Sequence, residues 1–212
     1  MSKTRRTDPA AILRKLTRAA LTGHLVRLHR TIDGTDPVEG FVLGAAPGWT
    51  LLAECRDLRL DGFTALRTTD LARVRKRGGP DSLTVRALRR HGRWPVAVPP
   101  MALDDLPTLL ADAHQLHGLL SVHLERETTE ALWIGAVTRV GRKNLHLHQI
   151  DPEARWHDHP SKFPLAEITR VTFGSHYERT LAEFAEAPPG QPELPGRGRA
   201  DAGSTGRSAP SQ

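Results

Sequence analysis

Four histidines, His146, His148, His157 and His159, come closest in type and spacing to a metal centre. Imidazole nitrogens are good zinc ligands, and residues two apart on a strand project from one face. Across a hairpin, the stretch LHLHQIDPEARWHDHP (145–160) would gather both pairs, with Asp151 or Asp158 behind them. Leu145 and Leu147 alternate with the first pair, however, and should face a core, which leaves His146 and His148 in solvent. The spacing matches no zinc-binding signature. The expectation is a solvated strand face, with no metal and no cofactor.

A second pattern is basic. Arg73, Arg75, Lys76 and Arg77 fall in RVRKRGG, with the arginines alternating as on a strand. Arg86, Arg89, Arg90 and Arg93 in RALRRHGR follow helical spacing and predict one cationic stripe opposite Val85 and Leu88. Such a surface suits a phosphate backbone, with Trp49, Phe63 and Trp94 available for base stacking. Net charge is +6 and the pI about 10.2, although an Arg-, Ala-, Gly- and Pro-rich composition also follows from a GC-rich genome.

Nucleophilic chemistry has less support. Cys55 is the single cysteine, and in TLLAEC it alternates with Leu51 and Ala53 as a small core residue. No Gly-rich phosphate loop, nucleophile elbow or zinc-protease helix is present in the sequence, so the protein is read as a non-enzyme. One cysteine permits no internal disulfide and fits a reducing compartment. The N-terminal segment has no apolar run of signal-peptide type, and no run of about 18 apolar residues occurs, so a cytoplasmic protein without a membrane partner is expected.

These residues must be positioned by short elements. DPAAILRKLTRAALTG reads as a helix capped by Asp8, with Pro9 in its first turn and Gly23 at its end. LDDLPTLLADAHQLHG repeats that design, from Asp104 or Asp105 to Gly118. Five strand-like runs follow each helix: HLVRLHRT, EGFVLGAA, WTLLAEC, FTALR and LARVR, then LLSVHLER, LWIGAVTRV, NLHLHQI, KFPL and ITRVTF. Gly40 and Gly135 fall at matching places, and Asp70, Leu71, Arg73 and Val74 match Glu167, Ile168, Arg170 and Val171. Asp70 with Arg73, and Glu167 with Arg170, are read as equivalent structural pairs that bind each other or the neighbouring copy. Both copies close with helical text, SLTVRALRR and YERTLAEFAE, in which Val85 and Leu88 are matched to Leu181 and Phe184.

Ordered agreement of this kind predicts an internal duplication. A helix followed by five short, bent strands resembles the Sm-like or SH3-like small barrel over residues 8–90 and 103–186, and the whole chain is similar to bacterial proteins with two such barrels in tandem. The resemblance implies a fold only. RLDG at 59–62 is the nearest approach to the Sm nucleotide-reading signatures, and no family binding residue is transferred. The expected fold class is mainly β with flanking helices (α+β). Its organisation is a flexible start (1–7), a first helix-barrel-helix copy (8–95), a linker (96–102), a second copy (103–186) and a disordered Pro/Gly/Ser-rich tail (187–212). The copies are expected to pair with each other about a pseudo-twofold, each offering the same edge. Function is read as non-catalytic binding or adaptor work with an unknown protein partner. The alternative is RNA or DNA binding through the first copy's basic stripe.

Overall fold

A computed structural model describes residues 8–189; the expectations for residues 1–7 and for most of the tail, 190–212, lie outside the described residues. Helix α1 (Pro9–Thr22) starts where the Asp8 carboxylate accepts the Ala10 N–H at 3.0 Å, and it stops at Gly23 in the left-handed conformation. Strands β1 (Leu25–Arg30), β2 (Val38–Ala45), β3 (Trp49–Arg56), β4 (Arg59–Arg67) and β5 (Leu71–Gly78) follow, then α2 (Leu83–Arg90). The second half comprises α3 (Leu106–His117), β6 (Leu119–His123), β7 (Trp133–Val140), β8 (Asn144–Gln149), β9 (Ser161–Pro164), β10 (Arg170–Phe173) and α4 (His176–Phe184). Asp105 caps α3, and Ser175 with Glu178 forms a reciprocal capping box on α4.

The protein is mainly β. Its strands make one antiparallel sheet in the order β5-β1-β2-β3-β4-β10-β6-β7-β8-β9, which does not close on itself. Each half contributes five strands in the same relative order, the last strand lying beside the first. The joint departs from the expected pseudo-twofold. Unlike edges meet, with β4 pairing with β10 from Leu66↔Arg170 to Phe63↔Phe173. Pairing head to tail keeps the sheet continuous, and it lets one strand serve two cores.

That sharing explains why β3 is buried from Trp49 through Cys55. Consecutive residues of a strand point to opposite faces. Leu52 and Leu66 pack beneath α1 with Ile12 and Leu16, while their neighbours Leu51 and Ala65 pack beneath α3 with Leu109 and Leu110. The outer helices occupy the remaining faces. Val85 and Leu88 of α2 cover Leu25, Phe41 and Cys55, and Leu181 of α4 covers Leu119, Ala136 and Ile150. Phe184, matched to Leu88 by the sequence, is instead 75% exposed. The caps Ser82 and Ser175 align Leu88 with Leu181, and the residue standing for Val85 is the buried Glu178, which accepts from Ser121 Oγ at 2.6 Å.

Local irregularities also recur. A Cβ on Gly40 would stand 2.3 Å from the Ala53 carbonyl oxygen, and one on Gly135 would stand 2.1 Å from that of His148. The β2–β3 ladder slips between Val42 and Gly44, and the β7–β8 ladder slips between Val137 and Arg139. Bulges of this type bend a strand and sharpen its twist.

Candidate nucleic-acid interface

The cationic surface of the first half is built by register. Arg27 lies opposite Arg75, and His29 lies opposite Arg73. Directly opposed residues share a face, so Arg27, His29, Arg73, Arg75 and Arg77 occupy the outer face of β1 and β5. Leu25 lies two residues before Arg27 on that face and carries α2, so the helix stands beside the arginines. Arg86, Arg89 and Arg90 are exposed on α2. Lys76 lies on the opposite face, its Nζ 3.4 Å from His24 Nε2.

Arg93 departs from the predicted stripe. The helix ends at Arg90, Gly92 takes a left-handed conformation, and the Arg93 N–H donates back to the Leu88 carbonyl at 2.8 Å. Its side chain is carried to a cleft beside Phe63, His117 and Arg179. Helical spacing does not continue past the glycine, so Arg93 leaves the line of Arg86, Arg89 and Arg90.

The cations are partly compensated at one side, where Asp36, Glu39 and Asp57 line a cleft with Arg27 and Arg56. Glu39, opposite Arg27 on β2, accepts from the Arg27 guanidinium at 2.7 Å and lies 3.6 Å from that of Arg77. Arg73 and Arg75 have no carboxylate partner among the described residues. Burial, reinforced by Arg75, Arg73 and Arg27, holds the His29 pKa below its usual value, so this ring is neutral at pH 7. Arg27 is not recognisable as part of the surface from the sequence, because its charge joins the others only through β1–β5 pairing. The aromatic residues are occupied: Trp49 lies beneath the Arg67 guanidinium at 5.4 Å, Phe63 stacks on Phe173 at 5.5 Å, and Trp94 meets Phe41 edge to face at 4.9 Å.

The repeated acid–arginine phrase serves the joint between halves. Arg170 donates to Glu54 Oε2 at 3.0 Å, and Asp70 accepts from Arg126 at 2.6 Å. Each bond crosses to the other half, while Arg73 stays exposed and Glu167 makes no ion pair among the described residues. Nearby, Arg30 pairs with Glu125, both side chains essentially buried, and Glu125 also accepts from the Thr169 hydroxyl at 2.7 Å. His123 lies between these groups, its Nε2 3.5 Å from Thr172 Oγ1. Burial first, then Arg170 and Arg30, push its pKa down to about 3. The Arg67 guanidinium donates to the carbonyls of Leu165, Ala166 and Ile168. This network holds the two halves in register.

The histidines do not converge. His148 is buried rather than solvated, with its ring Nε2 2.6 Å from the His157 carbonyl oxygen and its edge against Trp156. His148 keeps its alternation with Leu147, but the second face is also covered at this point: its partner Ala136 lies in a cluster with Ile150 and Trp156, so alternation alone did not predict its burial. His146 shares the face of His148 but lies further along β8, where it lines an open cleft, and His157 and His159 are exposed. Among the described residues no group of His, Cys, Asp or Glu is placed to hold a metal ion. Cys55 is buried, and burial followed by Glu39 raises its thiol pKa to about 11, so it is a poor nucleophile at neutral pH. No helix among the described residues is long and apolar enough to cross a membrane. Comparison with protein-family models, curated proteins and solved structures found no match to this chain.

Proposed function

We propose that this chain is a non-catalytic nucleic-acid-binding protein, built from a duplicated helix-plus-five-strand unit of Sm-like or SH3-like small-barrel type. Three features support the duplication: the same strand order in each half, the same slipped ladder, and the same close-approach glycine, Gly40 or Gly135. The binding reading rests on one observation. Arg27, Arg73, Arg75 and Arg77 share the outer face of β1 and β5, with Glu39 as the carboxylate that pairs there, beside the exposed Arg86, Arg89 and Arg90 of α2. Planar guanidinium groups bind phosphate oxygens in bidentate fashion, and a strip of them follows a backbone without reading sequence. The ligand is therefore a nucleic acid recognised through its phosphates.

The test is binding of the full chain to labelled single-stranded RNA and DNA across a salt series, beside the variants R73A/R75A/R77A and R86A/R89A/R90A. Saturable binding should weaken linearly in log–log form with salt, and the slope should become shallower by about 0.7 for each phosphate that a variant no longer neutralises. Absence of binding at low salt overturns the reading.

A further inference from the structure

The second half carries a cationic surface of its own. Register sets Arg139 on β7 opposite His146 on β8, and His146 opposite Lys162 on β9. Cross-strand partners share a face, so these side chains form one row, with about 4.8 Å between strands. Leu145, Leu147 and Phe163 point the other way into the core beneath α3, which leaves the row outside. The turn between β7 and β8 adds Arg142 and Lys143, and the five residues line an open cleft with Gly141 and Asn144. No acidic residue lines this cleft, and none of its arginines or lysines forms an ion pair among the described residues.

Opposite charges set against each other on adjacent strands stabilise a sheet. The protein has 24 acidic residues and sets one of them, Glu39, opposite Arg27. It sets none against this row, so Arg139, Arg142, Lys143 and Lys162 have no carboxylate partner among the described residues and can receive an external anion.

We propose that the Arg139–His146–Lys162 row and the Arg142–Lys143 turn form a second phosphate-binding surface. It takes the backbone of the same single-stranded nucleic acid that the β1–β5 surface binds, so the chain grips its ligand at both ends of the sheet. This rests on the nucleic-acid reading above. The surface is formed on the last three strands of the sheet, and the first surface on the other edge strand, β5, and its neighbour. Along the sheet the two edges are at most about 45 Å apart at ordinary strand spacing. A lipid surface fits less well, because membrane-binding faces set large apolar side chains among their cations. The exposed large apolar residues lie elsewhere, at Leu21, Leu58, Leu83, Val98, Leu116, Leu132, Tyr177 and Phe184.

The experiment measures labelled single-stranded RNA binding by the full chain, R139A/R142A/K143A/K162A and R73A/R75A/R77A, with vesicles of phosphatidylglycerol and phosphatidylcholine as a separate arm. The first variant should lose affinity about tenfold or more near 0.1 M salt, with a slope shallower by about 0.7 for each phosphate left unneutralised. Vesicles should bind none of the proteins. Unchanged affinity and slope in that variant, with loss in R73A/R75A/R77A, overturns this inference and leaves the function above intact. A wild-type chain that binds no RNA overturns both, and one that binds vesicles in preference to RNA replaces this surface's ligand with a lipid headgroup. Arg142→Ala and Lys143→Ala lie in the turn outside the ladder, and should each give a smaller loss of the same kind if the quadruple variant does not fold.

Discussion

Lowering the pH from 7 to 5 should destabilise this protein by about 2 kcal/mol through His123 alone. In the unfolded chain the imidazole has its ordinary pKa of 6.5, whereas in the fold it is depressed to about 3. Between those values the unfolded chain binds a proton that the native protein does not, so stability falls as pH falls through that window. At pH 5 the native His123 is still neutral, and the cost is set by how far pH lies below 6.5, at about 1.4 kcal/mol per unit. At pH 4 the loss reaches about 3 kcal/mol by the same relation. The cause is visible in the packing: His123 is 8% exposed, and protonation would add a cation beside Arg170 and Arg30. Denaturant unfolding of the wild type and of His123→Asn, each at pH 7 and pH 5, isolates the effect. The variant leaves a small cavity and is less stable at both values, but its loss between them should be about 2 kcal/mol smaller. Equal losses in the two proteins would refute the reasoning, since every other ionisable group is common to both.

Two further outcomes test the packing. Gly135→Ala should cost about 3 kcal/mol or more, because its Cβ would meet the His148 carbonyl oxygen at 2.1 Å and backbone must move; Gly141→Ala, whose Cβ would meet Asn144 at 3.4 Å, should stay within about 0.5 kcal/mol in the same chemical-denaturation assay. Arg30→Met strands the Glu125 carboxylate, 4% exposed, and should cost about 3–5 kcal/mol; the additional change Glu125→Gln should recover part of that loss.

The amino-acid sequence by itself determined the elements. Asp8 and Asp105 cap helices, Gly23 and Gly118 end them, and each of the ten strands lies within or overlaps a run of alternating or β-branched text, because caps and periodicity are decided by neighbours along the chain. Only the tertiary structure decided what those elements do together. Leu51 and Leu52 are adjacent in sequence yet belong to different cores, and that follows from β4 pairing with β10 rather than with its like. Arg30 finds Glu125, and Arg170 finds Glu54, across separations that no local pattern encodes. The two cationic surfaces have the same origin: Arg27 joins Arg75, and Arg139 joins His146 and Lys162, only when strands distant in the chain are set side by side in register. Each side chain's charge is local, but its neighbours are fixed by long-range pairing, which places these cations in contiguous surfaces.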